Sequence, residues 1–266
     1  MFGNPVTVVS LNTRGVPAVG TNLARRYAVI GAKLDAGDVD VACLQEVFTW
    51  WHLRLLARRM RSFGYVSYRP SLPGPAGGLV TFSRRPVSGT SYRGFGIPPR
   101  AARISQLTRL QAGMKGALVT RLAGPGLCIV NTHPVANKDG DWSRASRFYP
   151  LHRAQLDALT RVVLSVPAPA AVCGDFNIDR GSSLFGGFLA DTGLADAFEG
   201  GCPATFRAEY LPAGKTPHCI DFILTGGGVK AEAATVVFAG KEPLLGDPGY
   251  VSDHLGLYAR LFPAPP

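Results

Sequence analysis

The sequence predicts an α/β domain organised around a large buried sheet system. Three observations support this. Short β-branched apolar runs alternate along the chain with segments whose apolar residues recur at helical spacing. Several of those runs end abruptly in carboxylate, amide or imidazole side chains. No shift in composition, internal repeat or low-complexity tract marks a boundary, so residues 1–266 read as one domain.

The elements follow in order. Val6–Leu11 reads as a central strand, and Asn12 through Pro17 turn out of it. Leu23, Tyr27, Ile30 and Leu34 share one helical face, with Thr21 or Asn22 as the cap and Gly37 as the stop. Val39–Leu44 is a second buried strand. Trp50–Phe63 is a second helix, ended by Gly64, with an Arg-rich outer face best read as solvated. Gly77–Ser83 is a strand entered through glycines. Residues 84–114, with Pro98-Pro99 and the basic residues Arg93, Arg100, Arg103 and Arg109, read as a long excursion over the rim of a site. Lys115–Leu122 and Leu127–Val130, split by Ala123-Gly124-Pro125-Gly126, form a hairpin. A polar loop follows over 134–150, carrying Arg144 and Arg147. Leu151–Val166 is a helix stopped by Pro167 and Pro169. Ala170–Asn177 is a buried strand, Ser182–Asp191 a short helix, and 200–218 a loop. Ile220–Leu224, Ala234–Phe238 and Gly256–Leu261 close the sheets.

Composition limits the function classes. A hydrophobic content of 46% over 266 residues is ample for a large core. The formal net charge is +10, mostly from Arg. It suits a phosphate-bearing partner, whether nucleic acid, an anionic lipid surface or a phosphorylated small molecule; a solvated basic surface explains it equally well. No stretch is long and apolar enough to span a bilayer, and no secretory leader pattern precedes Val6. The expectation is a monomer in the cytoplasm, or a secreted one if a leader has been removed. Of the five cysteines, Cys43, Cys128 and Cys173 lie in apolar runs and read as buried thiols. Cys202 and Cys219 could pair in an oxidising compartment. No cysteine spacing suits zinc.

The strand ends carry the chemistry. Period-2 alternation points Asp175 and Asn177 to the same side. Asn12, Glu46, Asn131, His133, Asp221, Asp253 and His254 likewise follow or adjoin apolar runs. Each alone has an ordinary structural explanation: a solvated strand end for Glu46, a structural histidine for His133, a turn cap for Asp175 or Asp253. Their co-occurrence suggests one site at a sheet edge. Carboxylates and amides without a thiolate cluster suit a hard divalent ion, Mg²⁺ or Mn²⁺. Two histidines titrate near neutrality and suit general base and acid duty. Together these groups form a toolkit for hydrolysing a phosphate ester.

In this order, Asn12, Gln45-Glu46, Asn131-Thr132-His133, Gly174-Asp175-Phe176-Asn177, Ile220-Asp221 and Ser252-Asp253-His254 resemble the motifs of the endonuclease/exonuclease/phosphatase superfamily. The resemblance implies a four-layer α/β sandwich of the deoxyribonuclease-like kind, two packed mixed sheets flanked by helices. It also implies a Mg²⁺-dependent phosphoesterase. Carried over by motif, Glu46 resembles the principal metal ligand, held by Asn12, with Asp253 on the metal side. His254 resembles the general base, oriented by Asp221. Asp175 and Asn177 resemble the pair that positions the nucleophile and a phosphoryl oxygen. His133 resembles the histidine that stabilises the phosphorane or assists the leaving group.

Within the superfamily the chain is most similar to neutral sphingomyelinases, through Ser10-Leu11-Asn12-Thr13-Arg14-Gly15-Val16-Pro17, Asn131-Thr132-His133 with Ala136-Asn137, Lys115-Gly116, and His152-Arg153 with Gln155. It departs from them at Thr13, Arg14 and Pro134. The expected activity is hydrolysis of a phospholipid headgroup at a membrane surface, sphingomyelinase or phospholipase C-like. The alternative is a nuclease acting on DNA or RNA. An inositol-polyphosphate phosphatase fits less well, because Pro217-His218-Cys219-Ile220-Asp221-Phe222 stands where that group carries a different stretch. A catalytically silent binding protein is disfavoured, because Glu46, Asp175 and His254 are all present.

Overall fold

A computed structural model describes residues 4–16, 22–98, 102–124, 126–244 and 248–264. Pro17, Thr21, Pro99, Arg100 and Pro125, each used in the sequence reading, lie outside the described residues. Two six-stranded mixed sheets form the frame. The first runs β11(Lys230–Val237), β12(Gly256–Phe262), β1(Val6–Asn12), β2(Val41–Gln45), β4(Val80–Ser83), β3(Tyr65–Ser67). The second runs β5(Val87–Gly94), β6(Gly116–Leu122), β7(Cys128–Thr132), β8(Ala170–Asp175), β10(Asp221–Gly226), β9(Ala195–Asp196). Two parallel pairs, β1 with β2 and β7 with β8, sit at the centre of their sheets.

Strand alternation sorts side chains into layers. On β1, Val6 and Val8 enter the core between the sheets, while Val9 and Leu11 pack outward under α1(Leu23–Ala36) and α2(Trp50–Ala57). On β8, Ala171 and Cys173 face the inter-sheet core, and Val172 packs under α4(Tyr149–Ser165) and α5(Ser183–Thr192). Helices thus cover both outer faces, which gives the four-layer sandwich. The buried strands read as continuous apolar runs because both of their faces are covered.

Gly174 marks the end of β8. Its φ is +149°, and a Cβ there would lie 2.0 Å from the Thr132 carbonyl oxygen. Only glycine lets β8 approach β7 so closely just before Asp175.

Several elements differ from expectation, among them β3 and β9, which the sequence reading did not assign. The segment 84–114 is no bare excursion: β5 pairs with β6 as the edge of the second sheet, and α3(Gln106–Gly113) follows, capped by Ser105. Tertiary pairing overrides the weak local signal of a Ser/Gly-rich strand. The second helix stops at Ala57 rather than Phe63; Met60 and Phe63 still bury, as a tight non-helical segment. Asn22 sits at the first-helix cap position, but in the left-handed region with φ of 63°. All five cysteines are free thiols: Cys43, Cys128, Cys173 and Cys219 are buried, and Cys202 is half-buried.

Candidate active site

The alternation that fills the inter-sheet core also builds the site. Asn12 continues the parity of Val6 and Val8, Asp175 that of Ala171 and Cys173, and Asp221 that of Ile223, so all three face the cleft between the sheets. Asp175 and Asp221 are directly paired in the β8–β10 register. Burial reduces Asn12, His133, Asp175, Asn177, Asp221 and His254 to a few percent exposure, while Glu46 and Asp253 are more open.

Asp175 is the hub. Its Oδ2 accepts a hydrogen bond from Asn12 Nδ2 at 2.9 Å and lies 3.4 Å from His133 Nε2 and 3.7 Å from His254 Nε2. Its Oδ1 accepts from the Asn177 backbone N–H at 2.8 Å. Asn177 is held at φ +54°, and its side chain donates to the Pro134 carbonyl at 3.2 Å. His254 Nδ1 lies 2.8 Å from Asp221 Oδ2. That hydrogen bond puts the proton on Nδ1 and turns Nε2 toward Asp175.

The electrostatics follow from crowding charge in a buried place. Burial opposes the charge of His254, but Asp221 and then Asp175 outweigh it and lift its pKa to about 10. Burial and the neighbouring Asp221 lift Asp175 to about 7, against the pull of His254. His133 is driven well below the usual imidazole range by burial, Lys115 and His254, so it is neutral. Lys115 Nζ donates to His133 Nδ1 at 3.0 Å, which leaves the His133 proton on Nε2, facing Asp175. Burial brings Lys115 down to about 8 even though Glu46 and Asp175 favour its charge.

Glu46 follows β2 with φ of 64°. Burial raises its pKa; Asp253 raises it further, while Lys115, His254 and a hydrogen bond from Asn12 lower it. Gly15 packs against it, and a Cβ on Gly15 would lie 1.8 Å from the Glu46 carbonyl oxygen. Glu46 and Asp253 offer only oxygen donors, the kind a hard divalent cation takes, although Arg14 Nε already lies 3.5 Å from Asp253 Oδ2. Asn12 links Glu46 to Asp175 by hydrogen-bonding both, and its own Oδ1 accepts from the Arg14 N–H at 2.9 Å. A tighter grouping also exists among the described residues: Asp175, Asp221 and His254 each offer one ligand atom within 4.8 Å of the others. His254 lies between the two carboxylates of this cluster, while Asp221 Oδ1 is buried without a hydrogen-bond partner.

Supports come from Ser252 of the last motif and from residues the sequence reading passed over. Arg26, on the α1 face otherwise filled by Tyr27 and Ile30, is buried. It donates to the Thr13, Arg14 and Val251 carbonyls at 2.9–3.0 Å, tying the turn after β1 to the segment before Asp253. Ser252 Oγ donates to the Asn12 carbonyl at 2.6 Å. The 200–218 loop supplies Thr205, whose Oγ1 accepts from the Ile220 and Asp221 N–H groups, and Phe206, whose ring meets His254 edge-on at 5.0 Å. Arg207 donates to the Ser252 carbonyl at 3.1 Å. Apart from Ser252, none of these carries a sequence signal beyond its residue type. Asn131 departs from the expected site. It is fully buried, accepts from Gln45 Nε2 at 2.8 Å and donates to the Leu44 and Val80 carbonyls, so it bolts the two sheets together.

The overall geometry has counterparts among solved structures. SmcL superposes with a TM-score of 0.74 at 17% identity, covering 96% of this chain and 98% of that one. TDP2 of D. rerio, complexed with a single strand DNA product, gives 0.72 at 19% identity, with 97% and 99% covered. The beta toxin from Staphylococcus aureus gives 0.69 at 17%, with 96% and 99% covered. At these identities the likeness is one of fold. No curated protein is significantly similar in sequence. The sequence profile of the Endonuclease/Exonuclease/phosphatase family, whose named activities all act on phosphoesters, matches residues 9–254, and the chain belongs to that family.

Proposed function

We propose that the chain is a divalent-metal-dependent phosphodiesterase whose substrate is a phospholipid headgroup. The observation that supports the chemistry best is the convergence of Asn12, His133 and His254 on Asp175 Oδ2, with His254 backed by Asp221 at 2.8 Å. Such a constellation can orient a water, manage its proton and receive a phosphoryl oxygen within one buried cleft.

Glu46 and Asp253 would hold the cation, with Asn12 fixing Glu46. When bound, such an ion supplies charge neutralisation at the phosphoryl oxygens. Asp221 holds the His254 imidazole in one tautomer, with Nε2 toward the reacting side. Asp221 and Asp175 are the main carboxylates that favour the charged form of His254, with Asp253 a lesser one whose charge a bound cation would offset. Asp175 and the Asn177 amide position the nucleophile and a phosphoryl oxygen. His133 presents Nε2–H as a neutral donor to developing negative charge, a proton that Lys115 assigns by occupying Nδ1.

The lipid substrate is supported by the similarity of the motif sequences to neutral sphingomyelinases. The second reading, a nuclease, is supported by the DNA product in the similar D. rerio TDP2 structure and by the +10 charge. A Mg²⁺-dependent hydrolysis panel separates them: sphingomyelin and phosphatidylcholine in mixed micelles, supercoiled DNA, single-stranded RNA and an aryl phosphodiester. Phosphocholine release with intact nucleic acid is the expected result. Cut DNA or RNA with untouched lipid overturns the lipid reading, and inertness toward every substrate overturns the hydrolase reading.

A further inference from the structure

The charge of this chain is segregated. Residues 47–138 hold fourteen of its 28 basic residues and none of its 18 acidic ones. The net positive charge therefore resides in this one segment. In the fold the segment includes β3 and β5, the outermost strands of their respective sheets, which meet on one flank where Ser67 Oγ and Thr90 Oγ1 lie 2.9 Å apart.

The segment also exposes aliphatic side chains that no described residue covers. α3 buries Thr108 and Ala112, the latter against Val135, Phe148 and Leu151, and turns the opposite face outward. On that face Leu107 is 63%, Leu110 69% and Met114 63% exposed. The spacing of three and four residues makes them one stripe. Ile97, 89% exposed, is held beside α3 because Arg109 donates to the Pro98 and Ala102 carbonyls at 3.0 Å. The stripe adjoins the site. Met114 precedes Lys115, whose ammonium reaches His133, and its carbonyl accepts from Tyr92 Oη at 2.9 Å.

We propose that α3 and the Ile97 segment dock the enzyme onto an anionic membrane surface, the aliphatic stripe entering the headgroup region and exposed Arg69, Arg93 and Arg103 facing the lipid charge. Exposed aliphatic residues ringed by arginine match the two attractions of a lipid interface, apolar burial and electrostatic pull. Nucleic acid is met by arginine with aromatic stacking platforms; the exposed Trp51 and Tyr65 lie on α2 and β3, off the stripe, and the aliphatic stripe adds nothing to phosphate contacts. The inference deepens the lipid reading above and rests on it for biological purpose, while binding itself is measured without turnover.

The test is co-sedimentation with phosphatidylcholine vesicles, with and without 30% (about one lipid in three) phosphatidylserine, using the full chain and its Glu46→Gln variant. Both proteins should pellet with the anionic vesicles, less so at high salt. Leu107→Ser/Leu110→Ser should weaken binding about tenfold or more, with an unchanged melting temperature and unchanged hydrolysis of the water-soluble aryl phosphodiester. Wild-type protein left in the supernatant at low salt would overturn the proposal. So would a double variant that binds as wild type does, or vesicles ignored in favour of nucleic acid. Vesicle binding by Glu46→Gln alongside inertness of the wild type toward every phosphodiester would sustain the docking surface while sinking the hydrolase reading.

Discussion

His254 Nδ1 lies 2.8 Å from Asp221 Oδ2, and both residues are almost wholly buried. The pair joins the loop before β12 to the first residue of β10, two places that the chain separates by 33 residues. Asp221 fixes which imidazole nitrogen carries the proton. Asp221→Asn can present an amide N–H to Nδ1 and force the opposite tautomer. A loss in kcat of roughly 10³–10⁴ is expected, with KM little changed. His254→Ala should cost about 10²–10⁴. Steady-state kinetics on a soluble phosphodiester checks both, and near-wild-type turnover in either variant would sink the assigned roles.

Glu46 and Asp253 are the proposed cation pair. Chelation with EDTA should abolish hydrolysis, and Mg²⁺ or Mn²⁺ should restore it. Glu46→Ala should lower kcat about 10²–10⁴-fold and weaken Mg²⁺ binding in calorimetry while leaving the fold intact. Full activity in chelator would exclude the metal reading.

Lys115 and His133 form a second positioning pair at 3.0 Å. Lys115→Met frees the His133 tautomer and removes a half-buried cation beside Glu46 and Asp175. A fall in kcat of about 10² is expected, with partial recovery in Lys115→Arg. Equal activity in all three proteins would show that Nε2–H of His133 is not used.

Gly15 sets how closely the turn after β1 approaches Glu46. Ala at this position collides with the Glu46 carbonyl and with Tyr27 Oη, 2.7 Å from the added Cβ. Gly15→Ala should cost about 1–3 kcal/mol of stability, as overpacking does, and should weaken Mg²⁺ binding along with turnover. A variant with unaltered melting temperature and metal affinity would contradict the geometry of this turn.

His152 gives a pH-dependent term in stability away from the site. It is fully buried, bonds the Val135 carbonyl at 3.0 Å through Nε2, and burial lowers its pKa to about 4 despite that bond. The unfolded chain therefore binds a proton that the folded chain refuses. This contribution is complete above about pH 6.5 and is lost as the pH falls toward 4, on the order of 3 kcal/mol in all. Thermal melts from pH 7 to 4 should show a falling melting temperature, with a shallower slope in His152→Gln. Identical slopes would exclude His152 as the source.

Much of the site was legible in the sequence because its residues sit at strand ends, where a period of two fixes which face each side chain takes. That alternation, together with the order of the motifs, pointed to Asn12, Asp175 and Asp221 as site residues. It could not tell Asn131 from them: this residue lies on the same face one strand away, yet Gln45 reaches it first and makes it a bolt between the sheets. Nor could it find Arg26, Thr205 or Phe206, whose roles consist of contacts across long sequence separations.

By itself the sequence determined the alternating layers of the core, the identity of the chemical groups and the excess of positive charge, because these depend on residue type and local period alone. Tertiary structure decided which groups meet. It placed Lys115 on His133, gathered three polar partners on one oxygen of Asp175, turned 84–114 from an apparent loop into a sheet edge and a helix, and left the aliphatic stripe of α3 exposed beside Lys115. These are pairings between distant residues, and their partners are fixed only when the two sheets close on each other.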